Sequence, residues 1–160
     1  MMKTTLTIVA LALATSVSAQ ESPLWMRYCA ISPDGSAVAF TYKGDIYTVP
    51  TTGGTARQLT TNAAYDTHPV WSPDSKQLAF CSNREGSMDV YVMQREGGTP
   101  RRLTTNSNSE TPIAFKDNNT VLYTSSIIPS AKSIIFANRM LPQVYEVGTN
   151  GSRPHLFSAL

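Results

Sequence analysis

Most of the chain alternates between short runs of apolar and β-branched residues and short groups of turn residues. Residues 37–41 and 45–49 are β-rich runs, and Lys43-Gly44 between them is typical of a tight hairpin. Pro33-Asp34-Gly35 precedes the first run as a turn, because proline fixes φ and glycine closes a turn without steric cost. Gly53-Gly54 then reverses the chain into the next run. Beyond the first nineteen residues no apolar stripe has the period of a helix, so the pattern predicts an all-β protein.

This arrangement of strands and turns occurs three times. Residues 30–35, AISPDG, return forty residues later as VWSPDS, and residues 57–62, RQLTTN, return forty-four residues later as RRLTTN. The difference in spacing reflects a four-residue insertion within the second copy. A third copy of weaker similarity begins at residues 113–118, IAFKDN.

The repeat identifies the architecture. Four antiparallel strands in a unit of about 40 to 45 residues are typical of a β-propeller blade. A β-sandwich fits the strand lengths but not the recurrence of whole four-strand units. We predict a β-propeller domain over residues 20–160, with blades at about 24–62, 63–108 and 109–160.

Three blades do not close a ring, because propellers contain roughly four to eight. The sequence therefore predicts a partial propeller. The remaining blades lie either further along a longer natural protein, which is the commoner arrangement, or in additional copies of the chain.

Residues 1–19 have the features of a secretory signal peptide. Lys3 supplies the positive start, residues 6–14 a short apolar run, and Val17-Ser18-Ala19 a cleavage site of small residues. A membrane anchor is the competing interpretation, but the run is far shorter than the ~20 residues that cross a bilayer. We expect export to the periplasm or the extracellular space and no membrane span in the mature chain.

The composition disfavours several classes of partner. Hydrophobic residues make up 41% of the chain and charged residues 15%, which suits a folded domain. The net charge is only +2 and Arg101-Arg102 is the one adjacent basic pair, so we expect no nucleic-acid partner. No phosphate-binding glycine motif appears, and two histidines and two cysteines show no metal-ligand spacing, so no cofactor and no metal are expected.

The two cysteines, Cys29 and Cys81, fall at different points of the repeat. We expect two buried thiols, with a disulfide between them as the alternative that an oxidising compartment would allow.

The second copy carries a family resemblance. Residues 71–80, WSPDSKQLAF, with the later DVYVM and GGTPRRLT, resemble the WD-repeat-like blade of the TolB type. That blade also occurs in prolyl-oligopeptidase-like peptidases and tricorn proteases, so it indicates the fold more than the function.

The first copy narrows the resemblance. Residues 25–35, WMRYCAISPDG, and residues 39–47, AFTYKGDIY, resemble the opening of bacterial tricorn protease homologues. The resemblance implies a secreted serine peptidase that degrades oligopeptides, with a PDZ-like domain and the peptidase domain beyond residue 160. It implies that the propeller shapes the passage of substrate or product, and that the full-length protein can form a homo-oligomer.

Two other resemblances remain open. A TolB-like periplasmic protein would use its propeller to bind a protein partner without catalysis, but that family has an α/β domain before the propeller, for which we expect no room here. A prolyl-oligopeptidase-like peptidase would carry its hydrolase domain downstream.

The chain offers no convincing catalytic residues. Asp66, His68 and Ser72 are close in sequence, but the equivalent serine, Ser32, has no histidine nearby. We therefore interpret both serines as turn residues, and an active site of the parent protein is expected outside this chain.

Candidate binding residues lie in the connections that differ among blades. Antiparallel connectivity places these connections on one face, opposite the Ser-Pro-Asp and Gly-Gly turns. Residues 125–142 form a long insertion rich in apolar side chains, which we interpret either as a functional loop or as a hairpin packed on its own blade. The candidates are Tyr65, Asp66, His68, Arg84, Glu85, Glu110, Ile134, Phe136 and Arg139.

Overall fold

The computed structural model describes residues 25–126 and 142–158, which form three four-stranded antiparallel sheets. Within each sheet the strands follow one another in chain order, as in a propeller blade. The predicted all-β fold and partial propeller are confirmed. The strands are β1 (Arg27–Ile31), β2 (Ala37–Tyr42), β3 (Asp45–Pro50), β4 (Arg57–Gln58), β5 (Asp66–Trp71), β6 (Gln77–Glu85), β7 (Ser87–Gln94), β8 (Gly97–Arg102), β9 (Glu110–Asp117), β10 (Thr120–Ser125), β11 (Gln143–Gly148) and β12 (His155–Ser158).

Several predictions concern residues outside those ranges. The predicted signal peptide, residues 1–19, is among them, as are Ile134, Phe136, Arg139 and most of the 125–142 insertion. In the part that the structure describes, no helix is long and apolar enough to cross a membrane.

The hairpin between β2 and β3 forms as its sequence predicts. Lys43 and Gly44 have φ values of 51° and 90°, the left-handed pair that the right-handed twist of a two-residue hairpin requires. Gly44 also lies close to Tyr65, because a Cβ at this glycine would come within 3.3 Å of the tyrosine ring. The turn thus brings the connection after β4 against the connection between β2 and β3.

The core lies between neighbouring blades. In the second and third blades a stacked aromatic pair spans the two middle strands: Phe80–Tyr91 in the second and Tyr123–Tyr145 in the third. In both blades this pair packs against aliphatic side chains of the preceding blade, such as Ile46 of the first blade. Burial of these side chains between sheets holds the blades side by side.

The Ser-Pro-Asp turns join neighbouring blades at the face opposite the β2–β3 turn. The Ser72 hydroxyl donates to Asp74, and the backbone N–H of Ser75 closes the turn on the Ser72 carbonyl. Across the blade boundary the Asp34 N–H donates to the Ser75 hydroxyl at 3.0 Å, and the Asp74 N–H donates to Asn118 Oδ1 at 3.0 Å. Asp34 and Asp74 therefore have structural roles in the turns and at the blade boundaries.

The prediction for the cysteines is confirmed for one residue and wrong for the other. Cys81 is buried, Cys29 is exposed, and both are free thiols. Cys29 lies in β1, whose residues are all exposed except the half-buried Ala30. The equivalent strand of blade two, β5, carries a bulge at the same place but is buried or half-buried throughout, so the exposure of Cys29 follows from the open flank of blade one and not from the bulge.

Candidate functional site

One face of the partial propeller carries the connections that vary among blades. We call it the variable-loop face and define it by the turns at residues 43–44 and 86 and by the connections 59–65 and 103–109. The predicted candidates that the structure describes all lie at or near this face. The structure nevertheless divides them into buried side chains that support the face and exposed ones that are free to contact a partner.

Asp66 and Arg84 were expected in loops, but they lie in β5 and β6. The strands extend this far because the Asp66 N–H donates to the Gly44 carbonyl and Asp66 pairs with Ser82 across the sheet. Arg84 Nη2 lies 3.1 and 3.0 Å from the two carboxylate oxygens of the fully buried Asp66. The guanidinium also lies 4.7 Å from the centre of the Tyr91 ring. This arrangement stabilises the end of blade two.

His68 lies in β5, where its φ of 53° marks a bulge. Its ring lies against the Tyr28 ring at a tilt of 31°, with 3.6 Å between centroids, and its Nδ1 lies 3.8 Å from Cys81 Sγ. Burial lowers the pKa of His68 and raises the pKa of Cys81 to about 12. Because a thiolate is the nucleophilic form, the Cys81 thiol is inert at neutral pH.

Ser72 is engaged in its turn rather than with His68. Its hydroxyl donates to Asp74 Oδ1 at 2.6 Å and accepts from the Gln77 N–H at 2.9 Å. Ser32 makes the equivalent bonds in blade one. A nucleophilic serine needs a base within hydrogen-bond distance, so this geometry favours the structural interpretation.

Glu110 was also expected in a loop, but it opens β9 and is only 1% exposed. Within the described residues its Oε2 has no hydrogen-bond partner. Burial, reinforced by the nearby charge of Asp89, raises the pKa of Glu110 to about 7. Asp89 itself is bonded to Arg102 Nη2 at 2.7 Å. Glu110 therefore sits in a buried polar layer between the second and third blades.

Tyr65 and Glu85 are the exposed candidates. The Tyr65 N–H donates to Asn83 Oδ1 at 2.7 Å, which fixes the connection, while the residue as a whole is 42% exposed. Glu85 ends β6 beside the tight turn at Gly86.

Tyr65 also lines a recess of about 320 Å³ that the sequence did not indicate. The recess joins the start of blade one, the β2–β3 turn and the connection to blade two, segments separated by up to forty residues in the chain. Only the folded structure brings them together. The lining residues are Trp25, Arg27, Thr41, Lys43, Gly44 and Tyr65.

The described residues bring no three histidine, cysteine, aspartate or glutamate side chains together as a candidate metal site. The exposed candidates of the variable-loop face are one aromatic and one acidic side chain, Tyr65 and Glu85.

Comparison with known proteins gives relatives that are much longer than this chain. Tricorn protease homolog 1 of Streptomyces coelicolor is 35% identical over 73 residues, which cover 46% of this chain and 7% of that protein. Dipeptidyl-peptidase 5 of Porphyromonas endodontalis is 38% identical over 71 residues, which cover 36% of this chain and 10% of that protein. The chain spans far less than two thirds of either relative.

Comparison with solved structures and with family models also identifies propeller proteins. The crystal structure of TolB from Acinetobacter baumannii matches with a TM-score of 0.66 at 20% identity, over 84% of this chain and 32% of that one. The family model of the tricorn protease N-terminal β-propeller domain matches residues 23–158, nearly the whole chain. The chain therefore belongs to the family of tricorn protease N-terminal β-propeller domains.

Proposed function

We propose that this chain is the N-terminal propeller segment of a secreted tricorn-like serine peptidase that degrades oligopeptides. The match of residues 23–158 to the tricorn propeller family carries the proposal, and the similarity to a Streptomyces tricorn protease homolog supports it. The segment shapes the passage of substrate or product, while the nucleophile and its base belong to a domain downstream of residue 160.

The geometry of the chain supports a role for the propeller in recognition, with catalysis in another domain. Ser72, which lies four residues after His68, is held by Asp74 and Gln77, and the Cys81 thiol is buried. The exposed side chains of the variable-loop face, including Tyr65 and Glu85, are suited to contacting a peptide or a neighbouring domain. A rigid scaffold with exposed loops is a common arrangement for recognition.

Oligopeptide turnover by the full-length gene product, compared with turnover by the 160-residue chain, tests the proposal. We expect the full-length protein to cleave a library of short peptides, and a serine-directed covalent inhibitor to stop the cleavage. The isolated chain should show no turnover. A full-length protein without peptidase activity, or turnover by the chain that disappears on Ser72→Ala, would contradict the proposal.

Two alternative functions have specific support. The fold match to TolB favours a periplasmic propeller that binds a protein partner without catalysis, and the similarity to a dipeptidyl-peptidase favours a prolyl-oligopeptidase-like enzyme. The reading frame beyond Leu160 distinguishes them. A PDZ-like and serine-peptidase region supports the tricorn assignment, a Gly-x-Ser-x-Gly segment supports the second peptidase class, and only further blades support the TolB-like function.

Export is part of the proposal. We infer from residues 1–19 that the mature protein begins at Gln20. The intact mass of protein recovered from the exported fraction should correspond to that start, and a soluble exported form that retains Met1 would contradict it.

A further inference from the structure

The recess at the start of blade one combines exposed aromatic rings with positive charge. Trp25 is 71% exposed, and the exposed Tyr65 ring lies on the same recess. Large aromatic side chains are usually withdrawn from water, and where several are exposed together they often mark a binding surface.

The cations of the recess have no acidic partner within the described residues. Arg27 and Lys43 are both exposed, and neither takes part in an ion pair. Their contacts are with aromatic rings: the Arg27 guanidinium lies 5.3 Å from the Trp25 ring centre. No carboxylate lines the recess. Its electrostatic character therefore favours an anionic ligand.

We propose that this recess binds a short acidic peptide segment. One or two carboxylates of the peptide bind Arg27 and Lys43, and an apolar side chain packs against Trp25 and Tyr65. The volume of about 320 Å³ accommodates only one or two side chains, which limits the segment to a few residues. Two cations are too few for a phosphate backbone, whose binding needs a series of basic contacts.

The site goes beyond the proposed peptidase function and does not depend on it, because the test below requires no peptide cleavage. It uses fluorescence anisotropy of a labelled peptide, Gly-Asp-Phe-Glu-Gly, added to the full chain. The matched neutral peptide is Gly-Asn-Phe-Gln-Gly, and a short oligothymidylate tests for nucleic acid. Circular dichroism verifies that each variant retains its strands.

The variants separate the recess from general positive charge. Arg27→Gln with Lys43→Asn removes both cations, and asparagine suits the left-handed position before Gly44. The control is Lys76→Gln, an exposed cation in the Ser-Pro-Asp turn on the opposite face. We expect the double variant to bind the acidic peptide at least about tenfold more weakly, and the control to bind it within about twofold of wild type.

A second measurement is independent of the variants. The chain has two tryptophans, and the Trp71 indole N–H is bonded to the Ala30 carbonyl inside the fold. On addition of the acidic peptide the Trp25 indole resonance should shift while that of Trp71 stays in place. Equal affinity for the neutral peptide, undiminished binding by the folded double variant, tighter binding of the oligothymidylate, or an unmoved Trp25 resonance would each overturn the proposal.

Discussion

Arg84 forms an ion pair with Asp66 through a single guanidinium nitrogen, Nη2, which lies 3.1 and 3.0 Å from the two oxygens of the fully buried Asp66 carboxylate. The guanidinium is itself mostly buried against the aromatic pair of blade two. Burial makes each charge dependent on the other, since a buried charge without its partner is costly. The pair is therefore a structural support of the variable-loop face.

Removal of the arginine tests this support. Arg84→Met should lower the free energy of unfolding by about 3 kcal/mol, because Asp66 is left charged and buried. Adding Asp66→Asn to that variant should recover part of the loss. Urea denaturation measures both changes, with the exposed Glu85→Gln as a control expected within about 0.5 kcal/mol of wild type. A loss in Arg84→Met no larger than that of the control would show that the pair does not support the fold.

The raised pKa of the buried Glu110 carboxyl leads us to expect that the stability of the chain depends on pH. Its pKa is raised from 4.5 to about 7 by burial, so the folded chain holds this proton at pH values where the unfolded chain has lost it. The free energy of unfolding should therefore fall as pH rises from about 4.5 to 7, by on the order of 2 kcal/mol, and then level off. Burial also raises the pKa of Asp89, which adds to the same slope.

Glu110→Gln should flatten this slope and stabilise the chain above pH 7, because a neutral amide replaces a carboxylate that is costly to bury. Thermal unfolding measured at intervals from pH 4 to 8 checks the prediction, with Glu85→Gln again as the exposed control. A slope unchanged by Glu110→Gln would assign the pH dependence to other groups.

Much of the fold could be predicted because its signals are local. The Lys43-Gly44 hairpin and the Ser-Pro-Asp turns depend on a few adjacent residues whose conformational preferences are strong. The positions of Asp66 and Glu110 could not be read in this way. Their burial depends on how far β5 and β9 extend, and that extent is set by pairing with residues more than a dozen positions away.

The recess shows the same limit for the candidate site. Tyr65 was identified from its place in a variable connection, whereas Trp25 and Lys43 gave no sequence signal of a common site. Their association arises from packing of Tyr65 against the Gly44 turn, which no local pattern encodes. Identifying such contacts requires the tertiary structure.

Ser75 links the first two blades through its hydrogen bond with Asp34, and we expect two substitutions of Ser75 to lower the free energy of unfolding by different amounts. Ser75 has a φ of 59°, and its hydroxyl accepts the Asp34 N–H. Ser75→Ala should destabilise the chain by about 1 to 2 kcal/mol, because the Asp34 N–H loses its partner. Ser75→Gly should cost about 1 kcal/mol less than alanine, because glycine adopts this φ without strain. Chemical denaturation distinguishes the two, and equal losses would mean that backbone strain contributes nothing here.

The cysteines differ in their expected reactivity. Cys29 is exposed, while Cys81 is buried with a pKa raised to about 12. A thiol-specific reagent should therefore modify one cysteine per native chain rapidly and the second only on unfolding. Peptide mapping by mass spectrometry assigns the fast site, and rapid modification of Cys81 in the folded chain would show that blade two opens readily.

The exposure of Ile31 on the open flank of blade one leads us to expect that the isolated chain self-associates. The strand register gives Ile31 the same place in blade one that Trp71 has in blade two, since each pairs with the second residue of its neighbouring strand. Trp71 is buried against the preceding blade, whereas Ile31 is 67% exposed. A flank shaped to receive another blade should attract one from a second molecule, because apolar surface between repeats is a main source of their stability. Sedimentation velocity should show association that increases with concentration and weakens in Ile31→Glu but not in Thr55→Glu, an exposed turn control. A monodisperse monomer at all concentrations would contradict this expectation.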